Sequence, residues 1–394
     1  MTTFDHRYEL MPRAELEQFQ LERLQSLLVR LRRNVRRYRE KLGDVRVESL
    51  ADLQKLPFTT PEDLVASFPF AMFAFPLREV IRLHSALGPE GKPLVIGHTR
   101  NDLLQWGRLV ARQLAAAGVT ANDVLQVSLG RADRAAEAGY VLGAECLEAS
   151  VIAEDPLNID QQFAILQNYR PTVLITTPTS ALELMRTIEK RHLDPQSFCL
   201  RTVLLSRPVE NEVREQLAAG LFAAIRCNFG VGEILDPGLC VECEKGHYHL
   251  NEDQFLGEVC DGELVVTTLA REAVPLLRYC TRIGAVLIRD RCPCGRTGVA
   301  IQPGPRLDRR LRAGEITFYE AQIAEALAQT RAAGHRFQLE ITDRLLLLAI
   351  EISESLFAKT LSSAENPKRQ IESELLGRLG LQAEVRFVEP QGKA

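Results

Sequence analysis

Apolar residues recur at helical spacing near the start of the chain. Between residues 14 and 42 they fall three or four positions apart and predict one long amphipathic helix. The apolar positions of this helix are Leu16, Phe19, Leu24, Leu27, Leu28, Leu31, Val35 and Tyr38. We interpret its many arginines as a solvated face rather than as an anion site. A helix N-cap is predicted next, because Thr59 or Thr60 precedes Pro61 and two acidic residues.

Alternating patterns occupy the chain between residues 94 and 228. Short runs rich in β-branched and aliphatic residues predict strands, and these runs are DVLQVSLG, ASVIAE, TVLITTP, RTVLLS and AIRCNFG. Helical patterns lie at 131–146, 158–169, 179–191 and 208–220. Strands that alternate with helices through short connections predict a mostly parallel sheet with helices on its faces.

The pattern changes again after residue 238. Residues 239–303 are rich in Cys, Gly and β-branched residues without a long helical period, and they predict a smaller β-rich subdomain. A segment at 302–315 that is dense in Pro, Gly and Arg is interpreted as a linker. Beyond it, a helix, two strands joined at Asp343 and Arg344, a second helix and a last strand predict a compact α+β unit.

Together these patterns predict the α/β fold class. We expect a large N-terminal domain at 1–304, with mostly parallel sheets and a β-rich part at 239–303. A small α+β C-terminal domain is expected at 309–394.

Composition and charge exclude some functions. The chain has 394 residues and a net charge of −4, so no overall basic field favours nucleic acid as a partner. We find neither a basic-then-apolar leader nor a run of about 20 apolar residues, and we expect a cytoplasmic protein without a membrane span. Seven of the nine cysteines lie between Cys227 and Cys294. In a reducing compartment that clustering needs a local explanation.

A metal site supplies that explanation. The turn CPCG at 292–295 can aim two thiolates at one point, since its glycine frees the backbone. The segment CEKGHYH at 243–249 offers a thiol and an imidazole. Because zinc prefers four N or S ligands in a tetrahedron, we predict a closed structural zinc site. Its predicted ligands are Cys243, His249, Cys292 and Cys294. Cys240 and His247 are alternative ligands, and separate buried thiols without a metal remain the other interpretation.

A glycine-rich turn, HSALGPEGKP, joins two strand-like runs at 84–93. Gly88, Gly91 and Lys92 have the residue types of a phosphate-binding turn. The residue after the lysine is Pro93, however, whereas a P-loop requires Ser or Thr there to hold magnesium. The segment therefore indicates a different kind of phosphate loop.

Several blocks of sequence occur in one order along nearly the whole chain. The blocks are LPFTTPEDLVASFPFAMFAFP, HSALGPEGKP, NFGVGEILDPG, DGELVVTTLAREAVPLLRYCTR and FQLEIT. In these blocks the chain resembles the phenylacetate–CoA ligases of the adenylate-forming superfamily. The resemblance implies a large adenylate-forming domain and a small mobile C-terminal domain. It also implies adenylation of an aryl carboxylic acid with ATP and Mg²⁺, thioester formation with CoA, and a homodimer.

The same resemblance implies which residues contact the nucleotide phosphates. In the family's SSGTTGKP loop, hydroxyls and backbone N–H groups wrap the ATP phosphates, and Gly88, Gly91 and Lys92 keep their places in that loop. Its four hydroxyl positions hold Ala86, Leu87, Pro89 and Glu90.

Two further blocks imply the other nucleotide contacts. NFGVGE matches the family's YGLSE segment, whose aromatic residue packs on adenine and whose glutamate holds magnesium. The match implies that Phe229 and Gly230 bind the nucleotide and that Glu233 binds it and is catalytic. In the block LRYCTRIG, Arg282 is retained as a nucleotide-binding residue, but the family's ribose-binding aspartate falls on Ile283.

Other positions bear on the active site. Lys393, in the context GKA, matches the family's catalytic lysine, although part of the family's PRSEGKA segment is missing before it. His84 falls on a family histidine, and both a role beside the acyl pocket and a packed strand-end residue remain open. The acyl-pocket segment carries Arg131, Asp133 and Arg134 in place of aromatic and glycine residues, so the acid is not identified.

The nucleotide-contacting positions have changed together, and we therefore expect impaired ATP use. Pro89 removes a backbone donor, Glu90 places a carboxylate near phosphate, and Ile283 cannot bind ribose hydroxyls. The expected function is that of a phenylacetate–CoA ligase-like protein with a weakened first step. The alternatives are a non-catalytic protein that binds an acyl group, CoA or a partner, and an acyl-transfer enzyme that uses a pre-activated thioester.

Overall fold

The chain divides into two units. The computed structural model describes residues 2–130, 134–152, 154, 156–314, 316–330, 332–342, 345–351 and 367–388. The first unit comprises the residues up to Ala86 together with Pro93–Leu307, and the second comprises Leu87–Lys92 and the residues from Asp308. Within the described ranges, no helix is long and apolar enough to cross a membrane.

Short and long helices begin the first unit. They are α1 (His6–Glu9), α2 (Arg13–Asn34), α3 (Arg36–Leu42) and α4 (Pro61–Ala66). The expectation of one helix across residues 14 to 42 is wrong, because Val35 is extended, with φ −115° and ψ 109°, and separates α2 from α3. Val35 is fully buried, and its β-branched side chain suits extended backbone. The predicted N-cap is confirmed, since the Thr60 side chain accepts a hydrogen bond from the N–H of Asp63.

A parallel sheet follows, as the alternating pattern predicts. Before it, β1 (Val80–Leu87) pairs with β2 (Pro93–Thr99), and α5 (Arg100–Ala116) comes next. The sheet strands are β3 (Val124–Ser128), β4 (Ser150–Ile152), β5 (Val173–Thr176), β6 (Thr202–Leu205) and β7 (Ala224–Cys227). The helices among them are α6 (Arg134–Cys146), α7 (Ile159–Asn168), α8 (Pro178–Lys190) and α9 (Asn211–Leu221). The strand order is β4-β3-β5-β6-β7, and all neighbours are parallel.

The β-rich part forms a six-stranded sheet. Its strands are β8 (Cys240–Glu242), β9 (Tyr248–Leu250), β10 (Phe255–Cys260), β11 (Glu263–Thr268), β12 (Tyr279–Ile288) and β13 (Ala300–Arg306). Their order is β10-β11-β12-β13-β9-β8, with antiparallel neighbours. The linker expected at 302–315 is largely strand instead, because Pro303 and Pro305 are accommodated in β13. Short 3₁₀ turns lie at Leu50–Lys55, Leu77–Glu79, Pro89–Gly91 and Pro195–Phe198.

The second unit has its own sheet and core. Its strands are β14 (Arg310–Ala313), β15 (Ile316–Tyr319), β16 (Phe337–Thr342), β17 (Leu345–Glu351) and β18 (Gln382–Val388), and its helices are α10 (Glu320–Ala328) and α11 (Pro367–Leu379). Strand β16 is antiparallel and β18 parallel to the central β17. Phe318, Ile323, Leu346 and Leu375 lie in its buried core. The α/β class with a small C-terminal α+β part is thus confirmed, while the residues expected to join β16 to β17 lie outside the described ranges.

Buried ion pairs hold the N-terminal segment in the first unit. Arg112 of α5 donates to Asp253 at 2.7 Å and to Asp5 at 3.3 Å. All three side chains are nearly inaccessible to solvent. Glu9 of α1 pairs with Arg296 at 3.0 Å, again with both side chains buried. Because buried charges are costly without partners, these contacts determine where the first residues lie.

We expect Arg112→Met to destabilise the first unit strongly, since the change leaves the buried Asp253 carboxylate without its guanidinium partner and Asp5 with Arg108 as its remaining one. The expected loss in the free energy of unfolding is about 3–5 kcal/mol. Urea unfolding followed by the fluorescence of the single tryptophan, Trp106, measures this loss. The matched control is Arg36→Met, because Arg36 pairs with Glu40 in solvent, where ion pairs contribute little to stability. Equal small losses in both variants would contradict the structural role of the buried pair.

Candidate metal centre and nucleotide-contact positions

The four predicted metal ligands converge in the first unit. Strand β9 carries His249, the turn between β8 and β9 begins at Cys243, and the turn after β12 carries Cys292 and Cys294. Their ligand atoms all lie within 4.8 Å of one another, and all four residues are buried. The two cysteine sulfurs of residues 243 and 292 are 3.9 Å apart. The Sγ atom of Cys294 lies 3.3 Å from Nε2 of His249.

These distances suit a tetrahedral ion. With metal–sulfur bonds of about 2.3 Å, the edge of a tetrahedron between two sulfurs is about 3.8 Å. The Nδ1 atom of His249 lies 2.8 Å from the carbonyl oxygen of Gly298 and donates to it. That hydrogen bond leaves the lone pair of Nε2 directed at the cluster, as in metal-bound histidines. Backbone N–H groups of Lys245 and Arg296 each donate to a cluster sulfur at 3.4 Å.

The electrostatics of the cluster also call for a cation. Burial first, and neighbouring thiols in addition, raise the pKa of Cys292 to about 12. A divalent ion among the sulfurs is the group that would hold them as thiolates. Of the two alternative ligands, His247 lies beside the cluster, with Nδ1 3.3 Å from Sγ of Cys292. Cys240 is buried but is not a member of the four-residue cluster.

The glycine-rich turn of the second unit is closed on itself. The N–H of Gly88 donates to the carbonyl of Lys92 at 2.8 Å, that of Gly91 to Gly88 at 3.2 Å, and that of Lys92 to Pro89 at 3.1 Å. Glu90 adopts left-handed backbone with φ 56°, and its carboxylate lies 3.3 Å from the Lys92 ammonium. The donors that a phosphate would need are thus engaged within the turn.

The nucleotide positions of the first unit are placed as follows. Phe229 is buried and packs against Tyr248 with ring centroids 6.0 Å apart. Gly230 lies so close to Asp236 that an added Cβ would be 2.3 Å from its carboxylate oxygen. Glu233 is buried. Phe229 and Glu233 are therefore buried and Gly230 has no room for a side chain, while Gly232 between them is exposed.

Arg282 and Ile283 are neighbours in β12. The Arg282 guanidinium contacts the carboxylates of Glu62 and Glu263, at 3.1 Å and 3.8 Å. Ile283 is buried and lies opposite Arg306 of β13. The retained cation is therefore already paired with protein carboxylates.

Some candidate residues lie outside the described residues. Lys393, Arg131 and Asp133 are among them, as is the side chain of Arg134. Their sequence-based roles stay predictions.

A buried histidine cluster of the first unit was not predicted from the sequence. The His84 and His98 rings stack with centroids 5.1 Å apart, and His98 stacks on Trp106 at 5.0 Å. Arg271 lies 3.3 Å from His98 through Nη1 and Nδ1. The only sequence signal is the alternation in β1, where Arg82 and His84 occupy the half-buried face and Ile81, Leu83 and Ser85 are exposed.

Three comparisons place the chain among known proteins. No protein-family model matches it. The phenylacetate-coenzyme A ligase of Thermus thermophilus is 34% identical over 374 residues, which cover 89% of this chain and 84% of that protein. The phenylacetate-coenzyme A ligase of Pseudomonas putida is 31% identical over 381 residues, covering 91% and 86%. A crystal structure of a 2-hydroxyisobutyryl-CoA ligase superposes with a TM-score of 0.87 at 24% identity, covering 100% of this chain and 90% of that one. At that identity the structural likeness supports the fold alone.

We expect the histidine cluster to make stability depend on pH. Burial, followed by Arg271 and Arg82, lowers the pKa of His84 to about 4, and burial also lowers the pKa of His98. In the unfolded chain a histidine has a pKa near 6.5. Below that pH the unfolded state therefore binds more protons than the folded state does. The contribution of the two neutral, buried rings to the free energy of unfolding is complete above about pH 7. It is lost as the pH falls from about 6.5 towards 4, by up to about 1.4 kcal/mol per pH unit for each histidine.

Urea unfolding at several pH values between 7.5 and 5 measures this slope. His98→Phe keeps an aromatic ring against Trp106 and should reduce the slope, whereas His6→Gln, which changes an exposed histidine, should not. An unchanged slope in His98→Phe would show that other groups cause the pH dependence.

Proposed function

The chain belongs to the phenylacetate–coenzyme A ligase family, and from this premise we propose that it is an acid–thiol ligase-type protein whose use of ATP is weakened. The reaction of its lineage is adenylation of an aryl carboxylic acid with ATP and Mg²⁺, followed by transfer of the acyl group to CoA. The observation that carries the proposed weakening is the closed turn at Leu87–Lys92, in which the backbone N–H groups of Gly88, Gly91 and Lys92 already donate to carbonyl oxygens of the turn.

Electrostatics and hydrogen bonding support a weak triphosphate site. Gly88, Gly91 and Lys92 would have to break their mutual backbone hydrogen bonds before they could donate to phosphate. The Glu90 carboxylate pairs with Lys92 and adds negative charge where phosphates would bind. Each lost hydrogen bond to a charged group costs about 1.5–3 kcal/mol. Two or three such losses weaken affinity by about a thousandfold.

The sugar-binding position supports the same proposal. A carboxylate that bonds two ribose hydroxyls is replaced by the buried, apolar Ile283, and the adjacent Arg282 pairs with Glu62 and Glu263. The residues present therefore fit ATP poorly, and we derive no catalytic step through it. Glu233 as the magnesium ligand and Lys393 as the catalytic cation stay predictions from the resemblance.

Zinc is the metal that we propose for the Cys243, His249, Cys292 and Cys294 cluster. Three sulfurs and one imidazole nitrogen are a donor set that selects zinc, and four protein ligands leave no open position for a substrate. The ion would join the turn between β8 and β9 to the turn after β12, so its role is structural. Further parts of the proposal are an acyl or aryl ligand, CoA, a homodimer and a cytoplasmic location.

A non-catalytic acyl- or CoA-binding protein is the second candidate. The observation that favours it is Ile283, because loss of the ribose contact removes nucleotide affinity while leaving the rest of the fold unchanged. An acyl-transfer enzyme that takes a pre-activated thioester would also tolerate this change, since it needs no ATP.

A magnesium–ATP thermal shift beside a pyrophosphate-exchange assay tests the proposed function. Both use a panel of aryl and aliphatic acids. The expected result is weak thermal stabilisation by ATP, together with slow pyrophosphate exchange that requires one of the added carboxylic acids. Neither stabilisation nor exchange favours the non-catalytic candidate. Exchange and ATP affinity equal to those of the Thermus thermophilus relative would overturn the proposed weakening.

Restoring the lost polar groups should raise ATP affinity. We expect the triple variant Leu87→Ser, Pro89→Thr, Ile283→Asp to bind magnesium–ATP about tenfold or more tightly than the parent, because it adds two hydroxyls and a carboxylate. Isothermal titration calorimetry measures the change. The control Leu87→Val, Pro89→Val, Ile283→Leu restores the backbone N–H of residue 89 but adds no polar side chain. An equal gain in the control would assign the effect to the backbone donor alone.

Metal analysis of protein purified without chelators tests the zinc proposal. We expect about one zinc ion per chain, reduced to near zero in Cys292→Ser and His249→Gln. Cys199→Ser is the matched control, because Cys199 is an exposed cysteine outside the cluster. Near-zero zinc in the parent protein, or an equal loss in the control, would reject this ligand set.

A further inference from the structure

The function proposed above assigns no role to the His84, His98 and Arg271 cluster, yet the hydrogen bonds of this cluster all run in one direction, from Arg271 to His84. A guanidinium group only donates, so Nη1 of Arg271 donates to Nδ1 of His98 at 3.3 Å. An accepting Nδ1 places the proton of a neutral His98 on Nε2. That Nε2 lies 3.3 Å from Nδ1 of His84 and donates to it. By the same logic the proton of a neutral His84 lies on its own Nε2.

The surroundings keep the three groups in this arrangement. His98 is held between the His84 and Trp106 rings, and the Trp106 N–H donates to the carbonyl of Pro237 at 2.7 Å. Arg271 is buried and also donates to the carbonyl of Gly97 at 3.3 Å. These contacts hold the His98 ring in the orientation in which Nδ1 faces Arg271 and Nε2 faces His84.

Charges around the cluster favour an anion. Arg82 lies on the same face of β1 as His84, and its buried Nη1 has no hydrogen-bond partner among the described residues. Arg82 and Arg271 both lower the pKa of His84, and burial lowers it most. Asp102 acts on Arg271 through its charge, but its hydrogen bonds come from backbone N–H groups of residues 99, 272 and 273. Glu272 accepts from Thr99 and Asn101.

His84 itself is only half-buried, and its Nε2 makes no hydrogen bond within the described part of the chain. We propose that Arg271 and His98 form a hydrogen-bond relay that presents the Nε2–H of a neutral His84 as a binding site for an anionic oxygen, supplied by a carboxylate or by a phosphate. The relay follows from the geometry alone. Which ligand supplies the oxygen rests on the proposed function, where a carboxylic acid is the expected substrate.

Nitrogen-15 NMR of histidine-labelled protein tests the relay without any ligand, because protonated and unprotonated ring nitrogens have distinct chemical shifts. At pH 7 both His84 and His98 should be neutral with the proton on Nε2. A proton on Nδ1 of either ring, or a cationic His84, would overturn the proposal. Arg271→Met removes the group that donates to Nδ1 of His98, and we expect His98 then to populate both neutral tautomers.

Titration in separate arms with phenylacetate and with inorganic phosphate tests the binding site. We expect a saturable shift of the His84 Nε2–H signal in one arm, which also identifies the source of the anionic oxygen. Shifts in neither arm overturn the assignment of an anion site. A shift with phenylacetate but no pyrophosphate exchange would instead count against the ligase proposal, so the two failures are distinguishable.

Variants of His84 distinguish hydrogen-bond donation by Nε2 from packing of the imidazole ring. The amide of His84→Gln reaches the position of Nε2, whereas that of His84→Asn reaches only the position of Nδ1. For whichever of phenylacetate and inorganic phosphate shifts the His84 signal, we expect His84→Gln to bind that anion within about threefold of the parent. We expect His84→Asn and His84→Phe to bind it about tenfold more weakly. Equal affinities of the Gln and Asn variants, at equal melting temperatures, would contradict a donor at Nε2. That comparison stands even if the Phe variant fails to fold.

Discussion

The first unit depends on one constraint: the polar side chains buried along α5 need hydrogen-bond and ion-pair partners. Asp102 at its start accepts backbone N–H groups of residues 272 and 273, and Gln113 near its end donates to Asn228 after β7. Arg112 pairs with Asp253 beside β10 and with Asp5 near the N-terminus. One helix therefore connects the N-terminal segment, the parallel sheet and the antiparallel sheet. Because each unpaired buried charge costs several kcal/mol, these segments have little freedom to move apart.

Strand β12 carries Ile283, at the position that the resemblance assigns to the ribose, and leads into the turn that supplies two residues of the metal cluster. Cys292 and Cys294 follow its end, while Arg282 and Ile283 lie within it. In the sheet, β13 lies between β12 and β9 and pairs with both. A metal at the cluster would link the turn after β12 to β9 and so support this pairing. Ile283, at the position that the resemblance assigns to the ribose, keeps its backbone pairing with Arg306 of β13. The scaffold can therefore persist whether or not ATP is used.

The two sets of candidate residues differ in what their side chains now contact. Three sulfurs and an imidazole meet around one point, with backbone hydrogen bonds that orient them. The nucleotide positions, by contrast, contact other protein groups: Lys92 contacts Glu90, and Arg282 contacts Glu62 and Glu263. An anionic ligand at these positions competes with an existing carboxylate, and that competition is the physical basis of the weakened ATP use that we propose.

Local sequence patterns were sufficient to predict the parallel sheet and the metal cluster of this protein. The alternation of strands and helices predicted the five-stranded parallel sheet, because period and turn residues are local properties of the chain. The spacing of Cys243, His249, Cys292 and Cys294 predicted the cluster, since two short turns can each present two ligands. Only the tertiary structure decided the rest. Val35 interrupts a helical pattern because its side chain is held in the core, and the start of the proline-rich segment becomes part of β13 because β12 pairs with it. His84, His98 and Arg271 come together from β1, β2 and a loop near residue 271, and no local period encodes a contact between residues so far apart in the chain.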